Sequence, residues 1–293
     1  MVTIPPQLDE NIRSWHGREG CDWLAALPAA VAGLAARWGL TVGEPFGDEG
    51  AVSWVAPATT ATGSEAVLKV FLPDLENRHE ADALRHYDGR GAVRLLEDEP
   101  GVLLLERLRP GTSLWQLGDD DQAARIVAGL LDQLWHAPAD GHPFRTLAGD
   151  AMRWSTGIPE GWAGLTEPFE RELADLGGAL AAELAQSQGE QVVLHQDLHG
   201  GNVLRAERSP WLAIDPKPLV GEREFDLASL IRDTRERVNE QLVRRRLDLL
   251  SELLGLDRER MRCWAIVHAL AWGVEGDQAD AAMIDCARWL ARM

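Results

Sequence analysis

The chain has 293 residues, 45% of them hydrophobic, enough to bury a sizeable core in one or two domains. Its formal net charge of −18 argues against nucleic acid, whose binding needs Lys and Arg to displace counterions, and against an anionic membrane surface. The same charge suits a cationic small molecule, although an acidic surface also simply keeps a protein soluble.

The three cysteines, Cys21, Cys263 and Cys286, are far apart and form neither a C-x-x-C pair nor a zinc spacing, as expected of reduced thiols in a cytoplasm. The N-terminal stretch has no basic segment leading into an apolar one, so no signal peptide is expected. No apolar run reaches the length of a membrane span.

In chain order, residues 22–38 read as an amphipathic helix, with Trp23, Leu24, Leu27, Val31, Leu34 and Trp38 near helical spacing and Gly39 as a stop. Residues 42–55 read as strand, turn, strand, 59–65 as a polar turn and 66–72 (AVLKVFL) as a strand. A helix is expected over 77–87, then strands over 93–96 and 102–105 joined by the acidic turn EDEPG. Pro110 and Gly111 punctuate the chain, which places a boundary between an N-lobe, 1–108, and a C-lobe, 109–293.

Beyond the boundary, 120–136 opens with an acidic first turn and reads as a helix. Residues 142–162 contain Gly and Pro and read as loop, and 167–186 as helix. Short apolar runs at 192–194 and 211–214 flank a polar loop, and 225–293 is nearly all helix. The expected fold class is α+β: a small β-rich lobe, then a larger helical lobe carrying one polar hairpin, with a ligand cleft between them.

The hairpin carries the chemistry. VVLHQDLHGGNVLRAERSPWLAID, residues 192–215, contains His195, Asp197, Asn202 and Asp215 in the order of a kinase catalytic loop, H-x-D-L-x-x-x-N, followed by a strand ending in Asp. One carboxylate can orient an acceptor hydroxyl and take its proton, while an amide oxygen and a second carboxylate are hard ligands suited to Mg²⁺. The plainer reading is that Asp197, Gly200, Gly201 and Asn202 are turn formers. The full pattern between two apolar strands outweighs it. Metal ligation of a hydrolytic type by His195, Asp197 and His199 leaves Asn202 and Asp215 unexplained.

The first lobe offers an independent check. A kinase needs a strand Lys for the α- and β-phosphates and a helix Glu to hold it; Lys69 in AVLKVF and Glu80 in HEADALRH stand in that order. Taken singly, Lys69 reads equally as an edge-strand residue in solvent and Glu80 as part of a solvated helix face. GEPFGDEGAV, residues 43–52, lacks G-x-G-x-x-G and reads as either a phosphate cradle or a plain turn. Backbone groups of Glu106, Arg107 and Leu108 fall where a nucleotide base would be held.

HQDLHGGNVL and WLAIDPKPLVGEREFDLASL, with the early helix, AVLKVF, GAVRLLEDE, VLLLERL and LLDQLWHAP, resemble the aminoglycoside and hydroxyurea phosphotransferase family over most of the chain, particularly its streptomycin 6-phosphotransferase branch. That resemblance implies a protein-kinase-like two-lobed fold and transfer of a nucleotide γ-phosphate, from ATP or GTP, to a hydroxyl of a cationic aminoglycoside. It implies Asp197 as base, Asn202 and Asp215 as Mg²⁺ ligands, Lys69 on the phosphates steadied by Glu80, and His195 as a brace. Asp226 resembles the family's loop-anchoring Asp; a helix N-cap would occupy a similar place.

Asp215-Pro216-Lys217 stands where protein kinases have D-F-G, Gln196 where they have Arg, and no A-P-E follows. These departures favour a small-molecule kinase. A cationic acceptor calls for carboxylates and aromatic faces, for which Glu222, Glu224, Trp272 and Glu275 are the candidates, with Trp264 read as core. A cytoplasmic monomer is expected. Another acceptor, such as a sugar or hydroxyurea, and a non-catalytic nucleotide- or drug-binding relic remain as alternatives.

Overall fold

The computed structural model describes residues 2–47, 52–166, 168–233, 238–274 and 276–293. The chain divides into two compact units, Met1–Gly89 with Val93–Gly111, and Arg90–Ala92 with Thr112–Met293.

The first unit opens with α1, Pro6–Trp38, which is interrupted at Gly17 (φ 51°, ψ −123°). The expected helix over 22–38 is the second arm of α1. Its first arm goes unseen in the sequence because Pro5-Pro6 reads as a breaker, yet Pro is tolerated in a first turn, where its missing N–H has no partner to lose. Gly39 ends α1 in the left-handed region (φ 62°) and donates its N–H to Ala35 O. Five strands follow: β1 Thr41–Val42, β2 Ser53–Thr59, β3 Glu65–Phe71, β4 Leu95–Glu99 and β5 Val102–Glu106, with helix α2 Glu80–Tyr87 after β3.

The sheet is antiparallel in the order β1-β2-β3-β5-β4. Leu24, Leu27, Val31 and Leu34 of α1 pack against Trp54, Ala56, Ala66 and Leu68 to form its core. The acidic run expected as a turn lies within β4. As the edge strand, β4 can carry Glu97, Asp98 and Glu99, and the reversal falls at Pro100-Gly101.

The second unit contains α3 Asp120–Leu134, β6 Arg145–Thr146, α4 Leu147–Gly164, α5 Arg171–Gln186, β7 Gln191–Leu194, β8 Val203–Arg205, β9 Trp211–Ala213, β10 Leu219–Glu222, α6 Ala228–Ile231, α7 Glu240–Leu254, α8 Arg258–Gly273 and α9 Ala281–Ala291. Strands β6, β10 and β7 form one small sheet with β10 in the middle; β8 and β9 form the polar hairpin, with Val203 opposite Ala213. The loop expected over 142–162 is corrected: most of it is α4, capped by Thr146, which accepts from Gly149 N at 3.2 Å.

Small residues let α4 and its neighbours approach closely. A Cβ on Gly178 of α5 would lie 2.7 Å from Ser155 O, and one on Gly161 would lie 2.9 Å from Val274. Among the described residues no helix is long and apolar enough to cross a membrane.

Candidate active site

In the first unit, Lys69 is on β3, the central strand, in register with Val55 and Leu103. Its Nζ donates to both Glu80 carboxylate oxygens, at 2.8 and 2.7 Å, with side chains only 6% and 0% exposed. Neither residue is therefore an edge or surface charge, and each neutralises the other inside the core, where a lone charge would be costly. Of the glycine segment, Gly43 N donates to Pro57 O and Phe46 N to Val55 O, both at 2.8 Å. Asp48, Glu49 and Gly50 lie outside the described residues.

The Arg107 guanidinium sits 4.4 Å over the Phe46 ring. Burial lowers its pKa, and the Arg109 charge adds to the effect. Glu106 N donates to Arg94 O at 3.0 Å, and its carboxylate accepts from Arg94 N. The Glu106 N–H is thus spent within the sheet, and Arg107 and the buried Leu108 follow it in the expected base-contacting segment.

In the second unit, Asp226 anchors the hairpin. Its buried carboxylate accepts from His195 N at 3.1 Å, Gln196 N at 2.6 Å and Trp135 Nε1 at 2.9 Å. Burial pushes its pKa up to about 6, against the pull of these donors. Gln196 (φ 67°) and Asp215 (φ 59°) both take left-handed backbone, a conformation that non-glycine residues hold when their surroundings dictate it.

Cross-ties fix the two halves of the loop. His195 Nε2 donates to Ile214 O at 2.9 Å, Lys217 N to His195 O at 3.0 Å and Ile214 N to Asn202 O at 2.9 Å. The His195 ring is wholly buried, which lowers its pKa to about 4 and keeps it neutral. It braces the loop against Ile214, and among the described residues no three His, Cys, Asp or Glu side chains converge as a metal site would require, so the hydrolytic set of His195, Asp197 and His199 does not form.

Asn202 Nδ2 donates to Asp197 O at 2.9 Å and to Asp197 Oδ2 at 3.2 Å, which aims the amide oxygen elsewhere. The Asp197 side chain is 29% exposed. Burial raises its pKa; the charges of His199, Lys217 and Arg232 pull it down and Asp215 pushes it up. Lys217 Nζ lies 2.7 Å from Asp215 Oδ1. Asp215 therefore presents a carboxylate oxygen to a cation already, and it and the Asn202 amide oxygen, on chain segments tied by Ile214 N to Asn202 O, are hard donors of the type Mg²⁺ takes, one or two protein ligands beside phosphates and water.

Trp115 is a part of this loop that sequence reasoning missed. Its ring stacks on His199 (4.7 Å, 1°) and donates from Nε1 to Asp233 Oδ2 at 2.6 Å. A Cβ on Gly200 would lie 2.5 Å from that ring and one on Gly201 closer still, so both glycines are required by packing. The two adjacent glycines were the available signal, but nothing in the sequence names the ring that presses on them.

The acceptor candidates separate. Glu222 is a correction: β10 is the middle strand of its sheet and buried throughout, so the Glu222 carboxylate points inward. It accepts from Gly189 N at 2.7 Å, Arg260 Nε at 2.7 Å and Trp264 Nε1. Trp264 is core, as expected. Glu224 is half-buried, with its pKa raised by burial. Trp272 stacks on His268 (4.0 Å, 1°) and meets the edge of Trp154. His268 Nδ1 accepts from Arg232 Nε at 2.7 Å. Glu275 lies outside the described residues.

A streptomycin 6-kinase of Streptomyces glaucescens is 40% identical, covering 99% of this chain and 97% of its own. A hydroxyurea phosphotransferase of Kitasatospora aureofaciens is 43% identical over 94% of this chain and 81% of that relative. The structure superimposes on a choline kinase of Streptococcus pneumoniae with a TM-score of 0.62 at 16% identity, over 91% of this chain and 99% of that one, which gives the fold as protein-kinase-like. Residues 37–279 match the aminoglycoside/hydroxyurea antibiotic resistance kinase family, and the chain, a phosphotransferase acting on a hydroxyl group, belongs to that family.

Proposed function

We propose that the protein transfers the γ-phosphoryl group of ATP to a hydroxyl of a streptomycin-type aminoglycoside in the cytoplasm, acting as a monomer. The observation that carries this reading is the likeness to a streptomycin 6-kinase along 99% of the chain, together with Asp197, Asn202 and Asp215 gathered on one cross-tied hairpin.

Lys69, held by Glu80, contacts the α- and β-phosphates, and backbone groups of the Glu106–Leu108 segment hold the base. Asn202 and Asp215 hold Mg²⁺, which when bound offsets the charge of the phosphates. Asp197, steadied by the Asn202 amide, orients the acceptor hydroxyl and accepts its proton. Its burial favours a carboxylate that takes up a proton readily. Asp226 fixes the loop backbone, and His195, neutral, bridges it to Ile214. The half-buried Trp272 and Glu224 suit a cationic sugar, a ring face and a carboxylate; Glu275 follows closely in sequence.

The likeness to a hydroxyurea phosphotransferase favours a second acceptor, a small neutral hydroxyl compound. The test is turnover with Mg²⁺ and ATP or GTP against streptomycin, other aminoglycosides and hydroxyurea, following phosphorylated product by mass. A streptomycin adduct bears out the reading; an adduct of hydroxyurea alone replaces it with the second; nucleotide binding without product from any acceptor overturns both. Asp197→Ala should lower kcat by about 100-fold or more while nucleotide still binds. An unchanged kcat would remove Asp197 as base.

A further inference from the structure

Lys217 has no place in the scheme above, yet it touches the middle of it. Its ammonium lies 2.7 Å from Asp215 Oδ1, and its side chain is 14% exposed against 31% for Asp215. The backbone on either side leaves little freedom: Asp215 is in the left-handed region at φ 59°, Pro216 has a ring-fixed φ, and Lys217 N is tied to His195 O at 3.0 Å. The hairpin thus carries a cation of its own, delivered to the carboxylate assigned to a divalent cation.

A lysine is a compact point charge on a flexible four-carbon stem, able to reach a carboxylate and to withdraw from it. Two cations drawn to one carboxylate repel each other, so whichever is present weakens the other. We propose that Lys217 is a positioning residue that stands in for the divalent cation at Asp215. It holds the Asp215 carboxylate in place while no metal is bound, and it competes with the metal for that carboxylate. The sequence Asp-Pro-Lys, in place of Asp-Phe-Gly, then sets how much divalent cation the enzyme needs. This inference rests on Asp215 as metal ligand.

The test is equilibrium binding of Mn²⁺, read as loss of the free-ion electron paramagnetic resonance signal, to the full-length protein saturated with the non-hydrolysable ATP analogue AMP-PNP. Lys217→Met should bind Mn²⁺ at least about fivefold more tightly than the parent, and Lys217→Arg, which keeps the charge, should stay within about twofold of it. In EDTA without nucleotide, Lys217→Met should melt below the parent, and Mn²⁺ with AMP-PNP should close that gap. Lys217→Gln gives the same comparison if the Met variant does not fold.

Unchanged or weaker Mn²⁺ binding in folded charge-removing variants would overturn the proposal while leaving Asp215 as ligand. Asp215→Asn separates the two ideas. A loss of Mn²⁺ affinity of about tenfold or more supports the ligand assignment, whereas parent-like affinity removes that assignment and the role of Lys217 with it.

Discussion

Lys69 and Glu80 show how far a residue type can be read from sequence. A Lys between apolar neighbours in a strand, followed eleven residues later by a helical Glu, leaves a buried pair and two solvent charges both open, and the two meet at 2.7 to 2.8 Å in the core. Breaking such a pair leaves one buried charge unmatched. Lys69→Met should therefore cost about 3 to 5 kcal/mol of stability, and Lys69→Met with Glu80→Gln should recover most of it without recovering activity. Urea unfolding beside a turnover assay checks both; a double variant as unstable as the single one would contradict the pairing. Glu222 is the opposite case, since its place shortly after Asp215 says nothing of the side it faces. Only its strand neighbours turn it to Arg260 and Trp264. His195 carries a pH signature. Burial lowers its pKa to about 4, so between pH 6.5 and 4 the unfolded chain takes up a proton that the folded chain refuses. Stability from this group is complete above pH 6.5 and falls by about 1.4 kcal/mol per unit as the pH drops toward 4. His195→Gln removes that slope, so urea unfolding at pH 7, 6 and 5 should show the parent falling relative to the variant. Parallel curves would mean that His195 titrates alike in both states.

At the scale of elements, the strands and amphipathic helices were legible because their apolar periods were regular. Helix α4 was not. Gly149, Gly157, Pro159, Gly161 and Gly164 give it the composition of a loop, and intrinsic propensity is a weak guide once neighbours close in. Its partner α5 carries Gly178 at the contact with the Ser155 carbonyl. A methyl there must force the helices apart, so Gly178→Ala should destabilise by about 1 to 3 kcal/mol. Gly157 has nothing within 4 Å of an added Cβ, and Gly157→Ala should stabilise by about 0.5 to 1 kcal/mol. Opposite shifts in the midpoint of urea unfolding would bear this out; equal effects would mean that helix propensity alone governs both sites. The β8–β9 hairpin obeys the same rule, with Gly200 and Gly201 small because Trp115 lies against them.

For the whole molecule, the net charge of −18 bears on the encounter with substrate. A multiply cationic aminoglycoside is drawn toward an anionic protein, and salt screens that attraction over about 10 Å at 0.1 M ionic strength. The kcat/KM for streptomycin should fall several-fold between about 0.01 and 0.15 M salt, while that for neutral hydroxyurea, if it is turned over, should stay nearly level. Equal salt dependence for the two acceptors would show that the charge serves solubility only. The sequence by itself determined the β-rich-then-helical order and the hairpin that carries H-x-D-L-x-x-x-N, because these rest on local periodicity and on a motif of fixed spacing; it offered the Lys–Glu pair by order along the chain, beside a solvent reading of each residue. Only the tertiary structure decided that α1 has a first arm, that α4 is a helix, that Glu222 faces inward, that Trp115 holds the glycines and that Lys217 meets Asp215. Each of these depends on a partner distant in sequence or on backbone direction, and neither leaves a periodic trace along the chain.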